Sequence, residues 1–125
     1  MPDSRHKLGV VFFPAFDWAI SDLHPEREER LLYTQDQFRE EGVFDLPNIQ
    51  EYPPTYGLYE DVERVHFCLP ETRARCGPSH LASLGGAVKA ADLVFSKQAD
   101  KALALVRPPG HHAMKVVHGN RGFCD

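Results

Sequence analysis

The chain has no long hydrophobic run: nothing in its 125 residues approaches the roughly 18 consecutive apolar residues that a membrane-spanning helix requires. It has no basic excess either, since 14 lysines and arginines stand against 18 aspartates and glutamates and the formal net charge is −4. The amino terminus lacks the apolar stretch of a secretory signal. These absences argue against a membrane protein, a secreted protein and a direct binder of nucleic acid.

Cysteine is scarce, and its three positions, Cys68, Cys76 and Cys124, cannot all be paired within one chain. With no signal peptide, reduced thiols in a cytoplasmic protein are the simplest interpretation. The hydrophobic share of 42% is enough for a core, and the length is that of one domain.

Two short apolar runs predict strands of a parallel sheet. Residues 8–13 are apolar and end at Pro14, which suits a strand buried on both faces, and residues 102–106 form a second buried run. A helix is predicted between residues 79 and 95, where small residues such as Gly85 and Gly86 would allow close approach of a neighbouring element.

A further helix is predicted over residues 25–41, with either Asp22 or His24 as its cap. Residues 43–78, rich in proline and tyrosine, predict a long loop-rich excursion with one short strand or helix around residues 59–67. The order strand, helix, excursion, helix, strand is typical of an α/β fold with parallel strands.

The most distinctive motif is Arg107-Pro-Pro-Gly-His-His-Ala113, which follows the second apolar run. Binding sites of open parallel sheets lie beyond the carboxyl ends of the strands, so His111 and His112 are expected at a site. One neutral imidazole can take a proton from water while the other supports developing charge. The alternative for a bare histidine pair is an incidental, partly exposed position.

This motif, together with Gly122-Phe-Cys124, resembles the active-site signature of the zinc-dependent histone deacetylase superfamily, which includes the acetoin-utilisation proteins and acetylpolyamine amidohydrolases. The segment His24-Pro-Glu-Arg-Glu-Glu-Arg-Leu31 is similar to an early family motif, with Glu28 where proline is usual. Leu84–Ala91 is like the small-residue helix before the active-site strand. The resemblance implies a partial three-layer parallel-sheet deacetylase (arginase-like) fold, with residues 1–125 as the amino-terminal part of the domain.

The resemblance also implies roles for individual residues. His112 would be the general base, with His111 as its electrostatic partner. Gly122 and Phe123 would line the channel for an acyl-lysine-like chain, and Arg30 would lie near the pocket floor. The expected substrate is therefore an acetylated lysine or an acetylpolyamine.

In the family the zinc ligands follow the Gly-Phe-Cys segment, after the point where this sequence stops. We therefore expect zinc in the full-length family proteins, none bound by this chain alone, and no activity from this segment by itself. An incomplete sheet with an exposed edge predicts self-association. The alternative function is a non-catalytic assembly or interaction module built from a partial deacetylase fold. A structural zinc site at His66, Cys68, Cys76 and His80 is less favoured than scattered thiols and imidazoles.

Overall fold

A three-stranded parallel sheet organises the chain. The structure is a computed structural model that describes residues 6–15, 23, 27–64 and 78–108. Its strands are β1 (Leu8–Phe13), β2 (Ile49–Tyr52) and β3 (Lys101–Val106), in the order β2-β1-β3. Leu8 lies opposite both Ile49 and Lys101, so the three strands begin level with one another. The predicted α/β architecture with parallel strands is confirmed.

Three helices accompany the sheet in the described ranges: α1 (Glu28–Glu40), α2 (Tyr59–Glu63) and α3 (Pro78–Phe95). A 3-10 turn, Val43–Asp45, joins α1 to β2 after Gly42, whose φ of 72° lies in the left-handed region that glycine tolerates best.

Successive side chains of β1 point to opposite faces of the sheet and pack against a different helix on each face. Phe12 packs edge-to-face on Phe38 of α1 and on Phe44 of the 3-10 turn, with ring centroids 5.7 and 6.2 Å apart. On the opposite face Val11 belongs to a buried cluster with Leu93 of α3. Because successive side chains of a strand point to opposite faces, β1 holds a helix on each side. The predicted three-layer arrangement is therefore confirmed.

The predicted buried strands differ in their actual burial. β1 is central and its four middle residues are buried, as expected for a strand covered on both faces. β3 is at an edge of the described sheet and only partly buried, with Leu103 44% exposed. The prediction of a strand at residues 102–106 is confirmed, but the prediction that it is buried was wrong, because β3 has a described neighbour on one side alone.

The described part of the predicted excursion, residues 43–64, is more regular than its sequence indicates. It supplies β2, which we did not predict, besides the short helix α2 near the expected position. The start of α1 also differs from the predicted residue 25. Arg27, at φ −133° and ψ 163°, is the N-cap, so the prediction of Asp22 or His24 as the cap was wrong.

The close approach predicted for the small residues of α3 is confirmed. A Cβ on Gly85 would collide with the carbonyl oxygen of Thr55 and lie 2.6 Å from the backbone nitrogen of Gly57. A Cβ on Gly86 would lie 2.6 Å from Cγ1 of Val106. The two glycines therefore let α3 contact the backbone of the 53–57 loop on one side and β3 on the other.

Candidate functional site

The candidate site is the carboxyl edge of the sheet, where β1 and β3 end side by side. Phe13 and Val106 are paired in the last position of the ladder, and Arg107 and Pro108 continue toward the histidine motif. His111 and His112, like Gly122 and Phe123, lie outside the described residues, so their predicted roles remain predictions. What the structure gives is the framework from which the motif departs.

Arg107 makes several hydrogen bonds at this edge. Its side chain is completely buried, and its Nη1 donates hydrogen bonds to the carbonyl oxygens of Pro14 and Ala15 at 2.8 and 2.6 Å. Its backbone N–H donates to the carbonyl of Phe13 at 3.2 Å. A buried guanidinium needs hydrogen-bond acceptors, and here two carbonyls of the segment after β1 accept from its Nη1. Arg107 therefore ties the exits of two neighbouring strands together.

The segment that receives these bonds is itself constrained. Ala15 is 1% exposed and has a φ of 54°, a left-handed conformation that costs a non-glycine residue on the order of 1 kcal/mol. The turn presents the carbonyls of Pro14 and Ala15 to the same guanidinium nitrogen. The contact to Arg107 offsets the strain of that conformation.

A second anchor comes from α3. Ser83, 9% exposed, donates a hydrogen bond from its hydroxyl to the carbonyl oxygen of Pro108 at 2.9 Å. The first two residues of the motif are thus held from two directions. Arg107 is bound to the segment after β1, and Pro108 is bound to helix α3.

The first turn of α1 lies within electrostatic reach of this edge. The pKa of Glu29 is lowered by a hydrogen bond from its own backbone N–H, next by the Arg27 side chain, whose Nε lies 3.2 Å from Oε2, and to a smaller extent by the charge of Arg107. Arg30, expected near a pocket floor, is exposed on this turn, and its assignment to the channel stays a prediction.

Sequence reasoning gave Arg107 no role beyond the first position of the motif. The available signal was a charged residue directly after a buried strand, which indicates a paired interior charge or a site. The identity of its partners could not be inferred, because Pro14 is 93 residues away along the chain.

His80 is the one member of the less favoured zinc grouping that lies among the described residues; His66, Cys68 and Cys76 lie outside them. Burial lowers the pKa of His80. In the described ranges no group of three or more histidine, cysteine, aspartate or glutamate side chains could hold a metal ion.

The lowered pKa of His80 predicts a pH-dependent stability. The unfolded chain takes up a proton near pH 6.5 and the folded chain only at lower pH, so protonation favours unfolding. The His80 contribution is complete above about pH 6.5 and is lost as the pH falls through the lowered folded pKa. We expect His80→Gln to reduce the fall in urea midpoint between about pH 7.5 and 5.5. The exposed His6→Gln variant is the control, and equal slopes in all three proteins would contradict the prediction.

A cavity of about 380 Å³ lies at the opposite, amino edge of the sheet. Its walls come from the segments that enter the three strands and are mostly polar: Lys7, Leu8, Pro47, Asn48, Gln50, Tyr52, Lys97, Gln98 and Ala99. It is therefore separate from the edge that carries Arg107. None of the described helices has the length and apolarity needed to cross a membrane.

Comparison with known proteins agrees with this architecture. A family model described as the histone deacetylase domain matches residues 70–125. A protein of Archaeoglobus fulgidus named "Probable deacetylase" is 38% identical over an alignment 135 residues long. The alignment covers 93% of this chain and 37% of that protein. The crystal structure of the HDA15 HD domain superposes with a TM-score of 0.72 at 22% identity, over 94% of this chain and 39% of that one.

The structural likeness supports the fold, and the sequence matches support the lineage. The chain spans little more than a third of the archaeal relative that it matches. The motif residues 107–113 and 122–124 fall inside the matched histone deacetylase domain. The two sequence matches support placing this chain in the histone deacetylase superfamily.

Proposed function

We propose that this chain is the part of a metal-dependent amidohydrolase that carries the general base, and that the protein removes acetyl groups from lysine or polyamine amines in the cytoplasm. His112 is the base, His111 its electrostatic partner, and Gly122, Phe123 and Arg30 contact the substrate chain or the product. These assignments rest on the family motif, and the activity is that of the protein to which the segment belongs.

The observation that carries the proposal is the construction of the carboxyl edge. Two parallel strands end together there, and a fully buried arginine, four residues before His111, joins their exits. Catalysis of amide hydrolysis needs a base held in one orientation, and rigid elements hold side chains better than free loops.

In the proposed reaction a water molecule attacks the carbonyl carbon of the acetyl group while His112 accepts its proton. The positive charge then shared by the two imidazoles stabilises the negative tetrahedral intermediate. The C–N bond breaks as the protonated histidine gives its proton to the departing nitrogen, which yields acetic acid and an amine. The carboxyl proton then passes to the amine, so the products are acetate and an ammonium ion. The neutral imidazole is restored at the end of the cycle.

Zinc enters this proposal through the family alone, where it polarises the carbonyl and activates the water. The described residues do not fit a metal site, and we assign no ligand role to any of them. In the proposed enzyme the metal ligands lie outside the residues that the structure describes.

The test is hydrolysis of an acetyl-lysine peptide and of an acetylpolyamine by the protein expressed from its natural reading frame, with zinc added. We expect turnover, and a loss of roughly 100-fold or more in kcat for His112→Ala, which is the contribution typical of a general base. The matched control is His118→Ala, a histidine outside both motifs. Absence of turnover on both substrates would contradict the proposal.

The alternative function, a non-catalytic assembly module, is favoured by one surface. Phe95 is 86% exposed at the end of α3, and Val88 and Val94 of the same helix are each 39% exposed. Absence of turnover together with a stable dimer in sedimentation equilibrium, dissociated by Phe95→Ser, would favour this alternative over the enzyme.

A further inference from the structure

We propose that Arg107 and Ser83 are positioning residues for the histidine pair, a role that rests on the proposed function. Neither is assigned to touch substrate. The chain leaves β3 at Arg107 and Pro108, the first two residues of the motif that carries His111 and His112. The Arg107 side chain donates to the segment after β1, and Ser83 donates to the Pro108 carbonyl. Their effect is on the direction in which that motif departs from the sheet.

The burial of Arg107 is the first support. A fully buried charge is costly, and an apolar residue of similar volume could fill the same space without that cost. What an apolar residue could not provide is directional bonding to the carbonyls of Pro14 and Ala15. The guanidinium therefore sets the separation between the segment after β1 and the segment after β3.

The second support is that the same step is held from another side. Ser83 of α3 donates to the carbonyl of Pro108, while the backbone N–H of Arg107 donates to Phe13. Contacts from a helix and from a strand exit thus converge on two successive residues. Both residues at the start of the motif are therefore fixed, and a displaced reacting group costs roughly 100-fold in rate for about 1 Å.

Imidazole spectra test the positioning without relying on activity. The variants are Arg107→Met, which keeps the volume but no donor, Arg107→Lys, which keeps the charge and some donors, and Ser83→Ala, which removes one hydrogen bond. The control, Thr55→Val, removes the bond from Thr55 Oγ1 to the Gly85 carbonyl on the same helix. In 15N-histidine spectra of the 125-residue chain we expect the His111 and His112 signals and their titration midpoints to change in Arg107→Met and Ser83→Ala.

Arg107→Lys should return these signals part of the way, and Thr55→Val should leave them unchanged. If Arg107→Met does not fold, Ser83→Ala decides the question, because losing one neutral hydrogen bond leaves the fold intact. Unchanged His111 and His112 signals in the folded variants would overturn the proposal.

The kinetic arm separates this inference from the proposed function. On an acetyl-lysine peptide, the full-length protein with Ser83→Ala or Arg107→Met should lose roughly 10- to 100-fold in kcat with KM changed by less than about twofold. Turnover with unchanged kcat in both variants would overturn the positioning role. Absence of wild-type turnover would instead contradict the proposed function, and the imidazole spectra would still decide on positioning.

Discussion

Gly85→Ala is expected to destabilise the fold by on the order of 3 kcal/mol, although alanine is the better helix former. The added methyl would occupy the position of the Thr55 carbonyl and lie 2.6 Å from the nitrogen of Gly57. Both obstacles are backbone atoms of a segment whose Gly57 N–H already donates to the Leu81 carbonyl at 2.6 Å. Neither can rotate away, so the helix and the loop must separate.

Urea unfolding monitored by circular dichroism measures this effect, with two comparisons on the same helix. Gly86→Ala meets Cγ1 of Val106, a side-chain atom that can shift, and should cost roughly 1–2 kcal/mol. Ala87→Ser adds one atom at an exposed position and should change stability by less than about 0.5 kcal/mol. A Gly85→Ala protein as stable as Ala87→Ser would show that the 53–57 loop does not pack against α3 in solution.

Leu93→Ala is expected to cost about 3 kcal/mol, within the usual range for a buried leucine. Leu93 has no exposed surface, and its Cδ1 would lie 2.8 Å from a Cβ built on Gly9, so the side chain rests directly on the backbone of the central strand. Its neighbours Val11 and Ala90 belong to the same buried cluster. They are held by sheet and helix and cannot move to fill the space left by the lost isopropyl group.

The matched control lies two residues further along α3. Phe95→Ala removes a larger side chain, yet Phe95 is 86% exposed, so the expected change in unfolding free energy is below about 0.5 kcal/mol. Equal losses for the two variants would mean that Phe95 is buried in an assembly, or that the helix is rotated about its axis.

The parts of the fold that sequence predicted are those with long, uniform patterns. β1 is an unbroken apolar run, and α3 has small and apolar residues at helical spacing over 18 residues. β2 escaped prediction because it has four residues, of which Gln50 and Glu51 are polar, and prolines stand on both sides. A strand of that length is specified by its pairing with β1, which no local pattern reveals.

Only part of the candidate site could likewise be predicted from the sequence. The histidine motif is contiguous and could be recognised from residues alone, whereas its support could not. Ser83 and Pro108 are 25 residues apart, and Arg107 meets Ala15 across 92 residues. Such contacts exist only once the sheet is assembled, so a local pattern carries no trace of them.

The order of the strands has a consequence for biosynthesis. Lys7 and Asp100, joined by a hydrogen bond at the start of β1 and β3, are 93 residues apart in sequence. The central strand is made first, and one of its partners is made last, so β1 leaves the ribosome with that edge unsatisfied. Folding dominated by such distant pairings is slow, and apolar strands that stay unpaired are prone to aggregation. We therefore expect the nascent chain to depend on chaperones until β3 has emerged.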